Sequence, residues 1–297
     1  MKKRVLYLVD ASIYIFRAWF SLPDSIENSE GAPVNALYGY ANFLCQLIEE
    51  TAPGYIAVAF DESLQTSFRN RIYPAYKANR ETAPDELKNQ FRLCRKLTET
   101  LGVAAFSSKK YEADDLMGTI AQRMRRNNFR MVYVTADKDI SQLMHKGDTF
   151  WNYARDECYG YNDCSKKFGV KPGQMTDFLA LCGDSADNIP GVPGIGVKTA
   201  ISLLKQYGSL NSIYKKLDTI PSSQVRGAKR LHALLLQNRE QAFMSRQLAI
   251  IACNAPINAT VQRLRYGGTS ALKINRYCSS HGLGDRLRGR LLSLLDE

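Results

Sequence analysis

Compact apolar runs alternate with helical patterns along the first half of the chain. Val5–Val9, Tyr55–Phe60 and Met131–Val134 have the composition of strands that are buried on both faces. Apolar residues at helical spacing lie between them, around Leu37–Glu50 and Leu116–Asn127. This alternation predicts an α/β fold with a mostly parallel central sheet and flanking helices.

The second half of the chain carries mainly helical patterns, and some of its helices flank a glycine-rich turn. Short helices are predicted at Asp177–Leu181, Lys198–Lys205, Leu210–Leu217 and Leu231–Asn238. Ser245–Ala252 is expected to return to the sheet as a strand. The leucine-rich tail from Arg286 is expected to end in a helix that packs on the core.

Each of the three predicted strands is followed by an aspartate. Asp10 and Asp61 come directly after the first two strands, and Asp137 and Asp139 follow the third. A single aspartate in such a place is an ordinary turn or cap residue. Ligands of parallel sheets bind beyond the carboxyl ends of the strands, however, so three acids at equivalent ends indicate a site there.

Further acids bring the number of candidate carboxylates to nine. Glu112, Asp114 and Asp115 open the helix that precedes the third strand, and Asp184 and Asp187 lie three residues apart, on one face of a helical turn. Nine unpaired carboxylates in one pocket would repel one another. Oxygen ligands without His or Cys select Mg²⁺ or Mn²⁺, and two such ions about 4 Å apart catalyse phosphoryl displacement.

A glycine-rich hairpin follows this aspartate pair. Gly191, Gly194 and Gly196 lie within six residues, and glycines so close together allow a tight turn and the approach of another backbone. The next helix begins near Val197, where its amide groups favour an anion, and Lys198 adds a positive charge. The pattern predicts a helix-hairpin-helix that grips a phosphodiester backbone without reading bases.

A basic and aromatic segment, Ser67–Arg80, precedes the acidic helix. Aromatic rings stack on exposed bases while cations meet phosphates, so the segment is a candidate single-strand contact. A solvated basic loop is the plainer alternative. The residues concerned are Arg69, Arg71, Tyr73, Tyr76, Lys77 and Arg80.

The overall charge agrees with a polyanionic partner. The chain has 297 residues with a net charge of +11, and 45% of its residues are hydrophobic, which indicates a folded globular protein. The chain has seven cysteines, an odd number, and they lack a zinc-type spacing. Unpaired thiols of this kind suit a reducing cytoplasm. No segment is apolar and long enough to cross a bilayer.

Five segments of the sequence resemble the 5′-nuclease, or flap endonuclease, family. The similarity is greatest to its bacterial branch, which includes the 5′-nuclease domain of DNA polymerase I and stand-alone relatives. The segments occur in the family's order and cover most of Val5 to Tyr207. They are LVDASIYIFRAWFSLP, AFDESLQTSFRNRIYPAYKANR, YEADDLMGTIA, VTADKDISQLM and FGVKPGQMTDFLALCGDSADNIPGVPGIGVKTA.

The resemblance implies a PIN-like α/β core, a helical arch and two groups of metal ligands. The group around the first ion comprises Asp10, Asp61, Glu112, Asp114, Asp115 and Asp137. The second group comprises Asp139, Asp184 and Asp187. Every acidic position that we can match is filled, which favours an active enzyme that uses two or more Mg²⁺ or Mn²⁺ ions.

The resemblance also implies roles in substrate binding. Lys77 and Arg80 match a basic pair near the scissile phosphate, and Tyr76 matches a possible stacking residue on the arch. The hairpin matches the element that binds duplex DNA, where carbonyl groups, here those of Val192 and Ile195, hold a K⁺ ion. Further contacts to DNA are expected from Arg17, Arg69, Arg71, Tyr73, Gly191, Gly194, Gly196 and Lys198.

Three regions are predicted from these segments. Residues 1–170 would form the nuclease core with an arch over about 64–100, residues 171–260 the helix-hairpin-helix region, and residues 261–297 a segment packing back on the core. The chain ends at Glu297, so we expect no polymerase or proofreading domain to follow. We expect a cytoplasmic monomer.

The sequence thus predicts a Mg²⁺-dependent 5′→3′ exonuclease and flap endonuclease that cuts DNA near junctions of single and double strand. A non-catalytic, structure-specific DNA-binding module with the same fold is the first alternative. An RNase of PIN-like architecture is the second, although such cores carry about four acids and no such hairpin. The nuclease prediction requires the distant acids to meet in one pocket with room for ions.

Overall fold

A computed structural model describes residues 3–62, 66–222 and 227–295, and within them the predicted α/β class is confirmed. Six strands form one sheet in the order β3-β2-β1-β4-β5-β6. The first five run parallel to their neighbours, and β6 is antiparallel to β5. The strands are β1 Arg4–Asp10, β2 Ile56–Asp61, β3 Ala104–Ser108, β4 Phe129–Val134, β5 Thr149–Asn152 and β6 Glu157–Gly160.

The three predicted strands form the middle of this sheet, and the other three were not predicted. Ala104–Ser108 pairs with β2 through the sequence AAFSS, which is short and contains no run of large apolar residues. Thr149–Asn152 and Glu157–Gly160 are four residues each and lie at the sheet edge. Strands of this length carry too little periodicity to be distinguished from loops.

Both faces of the sheet are covered by helices, which explains the nearly continuous apolar runs of its central strands. Successive side chains of β1 point to opposite faces, so Leu8 packs against one hydrophobic core and Val9 against the other. One face carries α1, α2 and α4, and the other carries α5. The helices of this half are α1 Ala11–Ser21, α2 Asn35–Thr51, α3 Phe68–Ile72, α4 Asp85–Thr100 and α5 Ala113–Arg125.

The region predicted as an arch consists of α3, a turn-rich segment over residues 73–84, and α4. Residues 64 and 65 of the predicted range of about 64–100 lie outside the described residues. Helix α4 buries its apolar stripe against the core, through Leu87, Cys94 and Leu97.

A helical region with its own hydrophobic core follows the sheet. Its helices are α6 Cys164–Phe168, α7 Met175–Cys182, α8 Val197–Tyr207, α9 Leu210–Lys215, α10 Ala228–Gln237 and α11 Arg239–Ala249. The predicted strand at Ser245–Ala252 is wrong, because residues 245–249 form the last turns of α11. Ala242, Ser245 and Leu248 recur at helical spacing and are buried, and the pattern becomes visible only when the preceding residues are included.

Three α-helices lie in the last part of the described chain, α12 Val261–Leu264, α13 Ala271–Ser280 and α14 Asp285–Leu292. Helix α13 packs against α4, and α14 packs against α2. Ile274, Leu287 and Leu291 join the hydrophobic core on that side of the sheet. Within the described ranges, the longest apolar helices still fall short of what is needed to span a bilayer.

Candidate active site

Four aspartates, which we call the inner acids, meet at the carboxyl edge of the sheet. Asp10 and Asp61 end β1 and β2, Asp137 follows β4, and Asp114 lies in the first turn of α5. Because β1 lies between β2 and β4 and all three are parallel, their ends deliver these side chains to one place. The inner acids line a cleft of about 1950 Å³.

Neutral groups hold the inner acids in position. Asp10 accepts hydrogen bonds from the backbone N–H of Ser12 at 3.1 Å and from the hydroxyl of Thr135 at 3.2 Å. Asp61 accepts from the Ser12 hydroxyl and from the backbone N–H of Ala113, both at 2.8 Å. These donors orient the carboxylates but do not neutralise their charge.

Burial and repulsion by neighbouring carboxylates disfavour the charged forms of Asp10, Asp114 and Asp137. Burial, together with Asp61 and Asp137, raises the pKa of Asp10 to about 7. Burial and the other three inner acids raise the pKa of Asp114 well above its ordinary value. The pKa of Asp137 is also raised, first by burial. Opposite charge would relieve this repulsion.

Three further acids, which we call the outer acids, are paired with cations. Glu112 accepts a hydrogen bond from Lys77 Nζ at 2.6 Å. Burial alone would raise its pKa, but Lys77 and Arg69 lower the pKa of Glu112 to about 2. Asp184 and Asp187, the other two outer acids, are paired with Lys138 at 2.5 Å and with Arg80, respectively.

Asp139 interacts electrostatically with acids of both groups, namely Asp137, Asp184 and Asp187. Its Oδ1 atom is buried without a hydrogen-bond partner in the structure, although Lys138 Nζ lies 3.6 Å away. Burial first, and then Asp137, raise the pKa of Asp139 to about 7. An orphaned carboxylate oxygen beside the inner acids is the kind of group that a bound cation satisfies.

Asp115 does not face the cleft, whereas its neighbour Asp114 does. Asp115 is completely buried, and Arg69 binds both of its oxygens at 2.8 Å. Backbone N–H groups of Glu112 and Ala252 donate to the same two oxygens, at 3.0 and 2.8 Å. Four protein donors occupy this carboxylate, which argues against its predicted role as a metal ligand.

The basic segment contributes Lys77 and Arg80 to the cleft but buries two residues predicted to contact DNA. Tyr76 is 3% exposed, and its hydroxyl lies 3.1 Å from both Glu112 and Asp187, so its ring is not available for stacking. Arg69 is also 3% exposed and is engaged by Asp115. These two predicted contacts therefore do not fit the structure.

The other predicted contacts to DNA are accessible to different degrees. Arg71 is exposed on α3, and Tyr73 is half-buried at the end of that helix. Arg17 is on α1, and its guanidinium donates to the carbonyl of Ala154 at 3.2 Å. Lys198 is exposed in the first turn of α8.

The glycine-rich hairpin forms a close-packed turn before α8. Gly191 has φ +61°, and a Cβ there would lie 2.2 Å from the backbone nitrogen of Gly183, so only glycine fits. Gly194 has φ +85°, and Gly196 is the N-cap of α8. The residues predicted to bind K⁺, Val192 and Ile195, have buried side chains, and the Ile195 N–H donates to the Val192 carbonyl at 2.9 Å.

Sequence analysis missed Ser12, Thr135 and Lys138, which contact Asp61, Asp10 and Asp184. Each lies within two residues of a candidate acid, and this proximity is the signal that could have found them.

The acid set fits hard divalent cations. Its donors are all oxygens, and one of them, Asp139 Oδ1, has no hydrogen-bond partner in the structure. No group of three or more acidic, His or Cys side chains among the described residues is arranged so that it could hold a metal ion. Mg²⁺ usually keeps several waters and binds through one or two carboxylates and substrate phosphates.

Two protein-family models together match most of the chain. The model for the N-terminal resolvase-like domain of 5′-3′ exonucleases matches residues 5–169, and the model for their C-terminal SAM fold matches residues 170–271. A 5′-3′ exonuclease of Buchnera aphidicola subsp. Schizaphis graminum is 32% identical over 92% of this chain and 95% of its own length.

DNA polymerase I of Bacillus subtilis is 36% identical over 90% of this chain, which spans 30% of that relative's length. Among solved structures, the flap endonuclease of bacteriophage T5, in a complex with DNA and metal ions, is similar with a TM-score of 0.67. The two share 20% sequence identity, over 99% of this chain and all of that one. At this identity the likeness concerns the fold.

Proposed function

The chain belongs to the 5′-3′ exonuclease family and is a nuclease, and we propose that it is a Mg²⁺-dependent 5′→3′ exonuclease and flap endonuclease acting on DNA. The observation that carries this proposal is the set of four inner acids in one large cleft. Its substrates would be 5′ flaps, nicks and free 5′ ends near junctions of single and double strand.

We propose that the inner acids and Asp139 hold divalent ions, with Asp184 and Asp187 as ligands of a second position. These residues fit because the inner acids offer carboxylate oxygens without an ion-pair partner in the described structure. Asp139 has only Lys138, at 3.6 Å, and Asp184 and Asp187 could exchange their paired cations for a metal ion. Bound Mg²⁺ or Mn²⁺ would activate water and neutralise charge at the reacting phosphate. The chain needs no side-chain nucleophile for this chemistry.

Lys77 and Arg80 are proposed to bind the reacting phosphate. Both line the cleft beside the acids, and each is now paired with an outer acid. A substrate phosphate would compete with Glu112 and Asp187 for these cations. Their exchange from carboxylate to phosphate would place positive charge where the phosphate gains negative charge during cleavage.

The hairpin is proposed to hold the duplex part of the substrate. Lys198 and the amide groups at the start of α8 would contact phosphates, and carbonyls of Val192 and Ile195 would bind K⁺. The bacteriophage T5 relative bound to DNA supports a DNA substrate. We propose that the enzyme acts as a monomer, and that its free cysteine thiols reflect a reducing cytoplasm.

Cleavage of a labelled 5′ flap by wild type and by Asp137→Ala tests the proposal. Wild type should cut near the junction with Mg²⁺ and not with EDTA, and Asp137→Ala should be inactive. Undiminished cleavage by the variant would remove the mechanism. A flap bound but left intact by wild type would favour the DNA-binding alternative, and faster cutting of a matched RNA flap would favour the RNase.

A further inference from the structure

A buried arginine joins three parts of the chain that the active site and the hairpin depend on. Arg69 Nη1 and Nη2 bind the two oxygens of Asp115 at 2.8 Å. Its Nε donates to the carbonyl of Leu248 at 2.8 Å, and Nη2 also donates to that of Ile250 at 2.7 Å. A guanidinium with all of these contacts is a rigid connector and not a free phosphate ligand.

The carboxylate side of this arginine leads to the acid cluster. Asp115 accepts the backbone N–H of Glu112 at 3.0 Å and thereby fixes the start of α5. Arg69 Nη1 also lies 3.7 Å from Glu112 Oε1, whereas Lys77 contacts Oε2 of the same carboxylate. The position of Glu112, and with it that of Lys77, therefore depends on the Arg69–Asp115 pair.

The carbonyl side leads to the glycine-rich hairpin. Leu248 lies in the last turn of α11, and Ile250 caps that helix. The same helix holds Gly191 at both of its backbone polar groups, because Gln241 donates to its carbonyl at 2.8 Å and Ser245 Oγ accepts its N–H at 3.1 Å. A displacement of the hairpin is thus transmitted to Arg69 through α11.

We propose that Arg69 is a positioning residue that couples binding of duplex DNA at the hairpin to the placement of Glu112 and Lys77. The inference rests on the proposed function, because that proposal identifies duplex DNA as the ligand of the hairpin. Each link is a hydrogen bond or an ion pair between buried or partly buried groups, and they form one continuous path. Arg69 itself contacts neither DNA nor the reacting phosphate.

The test measures hydrogen exchange of residues 112–116 in EDTA, with and without a nicked duplex, so that no cleavage is needed. Duplex should slow this exchange roughly tenfold in wild type and hardly at all in Arg69→Lys. Lysine keeps the charge beside Asp115 but cannot contact both oxygens and two carbonyls. Asp115→Asn keeps the shape without the charge and should uncouple the segment as well.

Arg290→Lys is the matched control, because Arg290 also makes a two-pronged pair, with Glu49, on the distant side that joins α14 to α2. It should retain the exchange response of wild type. In Mg²⁺, Arg69→Lys should lower the single-turnover rate on a flap roughly tenfold while affinity for the nicked duplex stays within about twofold.

Both variants are measured well below their unfolding temperatures. If duplex slowed the hydrogen exchange of residues 112–116 equally in Arg69→Lys and Arg290→Lys, the inference would be overturned. So would a wild-type segment whose exchange ignores bound duplex. A wild-type chain that shows the exchange response but cuts no flap with Mg²⁺ would keep the coupling and refute the nuclease proposal. The two failures are therefore distinguishable.

Discussion

The inner acids and Glu112 line the same cleft, yet their surroundings shift the pKa values of Asp10 and Glu112 in opposite directions. Burial and like charges raise the pKa of Asp10 to about 7, whereas Lys77 and Arg69 hold that of Glu112 near 2. The inner acids thus need a cation that the described protein does not provide. The outer acids are already paired with cations. Two of these pairs hold Lys77 and Arg80 in position beside the inner acids.

The largest expected effect is on the inner side of this comparison. Asp114→Asn should reduce single-turnover cleavage of a flap by at least roughly 10³-fold, because bound metal contributes several kcal/mol to transition-state stabilisation. The same change removes a repelling charge, so the free energy of unfolding in EDTA should rise by roughly 1 kcal/mol. Urea unfolding in EDTA, alongside the cleavage assay, checks both signs.

A loss of stability in metal-free Asp114→Asn would contradict the view that the inner acids repel one another. Asp285→Asn is a suitable control, because Asp285 lies on α14 and its carboxylate is almost fully exposed beside Arg288. It should change neither the rate nor the unfolding free energy measurably.

Glu112→Gln probes the outer side and should give the opposite stability change. It leaves Lys77, whose side chain is 9% exposed, without its nearest carboxylate. The free energy of unfolding should fall by about 3 kcal/mol, and the cleavage rate by roughly 10²-fold, because the cation is no longer held in place. If the variant were as stable in EDTA as Asp114→Asn, the distinction between the two groups of acids would fail.

Much of the inner group could be predicted from the sequence, and most of the outer pairing could not. Asp10, Asp61 and Asp137 follow buried strands, so local hydrophobic patterns and the geometry of parallel sheets place them together. The Arg69–Asp115 pair joins residues 46 positions apart and leaves no periodic signal. The pair forms because α3 and α5 meet the end of α11 in the folded chain.

Tyr76 shows a second limit of sequence reasoning. An aromatic residue among cations is expected in a base-stacking surface and equally in a loop that anchors itself by burying one ring. Only the tertiary fold distinguishes them, and here the ring enters the core of the helical region. The strand wrongly predicted at Ser245–Ala252 failed for a related reason, since its window excluded the first turns of α11.

The comparison also predicts how pH affects the metal-free protein. Asp10 and Asp139 have pKa values of about 7 when folded and 3.8 ordinarily, so the folded state binds more protons between pH 4 and 7. The free energy of unfolding should therefore fall as pH rises across that window. Glu112, with its pKa lowered to about 2, changes stability only at more acidic pH.

Bound Mg²⁺ should oppose this loss, because it replaces the protons. Thermal unfolding with saturating Mg²⁺ and with EDTA should thus differ more at pH 8 than at pH 5. A stabilisation that is equal at the two values, or larger at pH 5, would contradict the raised pKa values. Asp10→Asn should reduce the pH dependence of the difference.

The smallest expected effect concerns the exposed hairpin. Lys198→Ala should weaken binding of nicked duplex about threefold to tenfold, and should reduce the slope of log affinity against log salt by roughly 1. Single-turnover cleavage at saturating enzyme should hardly change, because Lys198 lies outside the cleft that holds the acids. An altered cleavage rate with unchanged affinity would contradict the division between gripping and cutting residues.

Calorimetric titration of Mn²⁺ at about pH 6 tests the central claim most directly, namely that the inner acids bind hard cations. Wild type should bind Mn²⁺ and release protons from Asp10 and Asp139, as shown by heats that depend on the buffer's ionisation enthalpy. The double variant Asp10→Asn/Asp114→Asn should lose this binding, whereas Asp285→Asn should keep it. Mn²⁺ binding by the double variant equal to that of wild type would contradict the account.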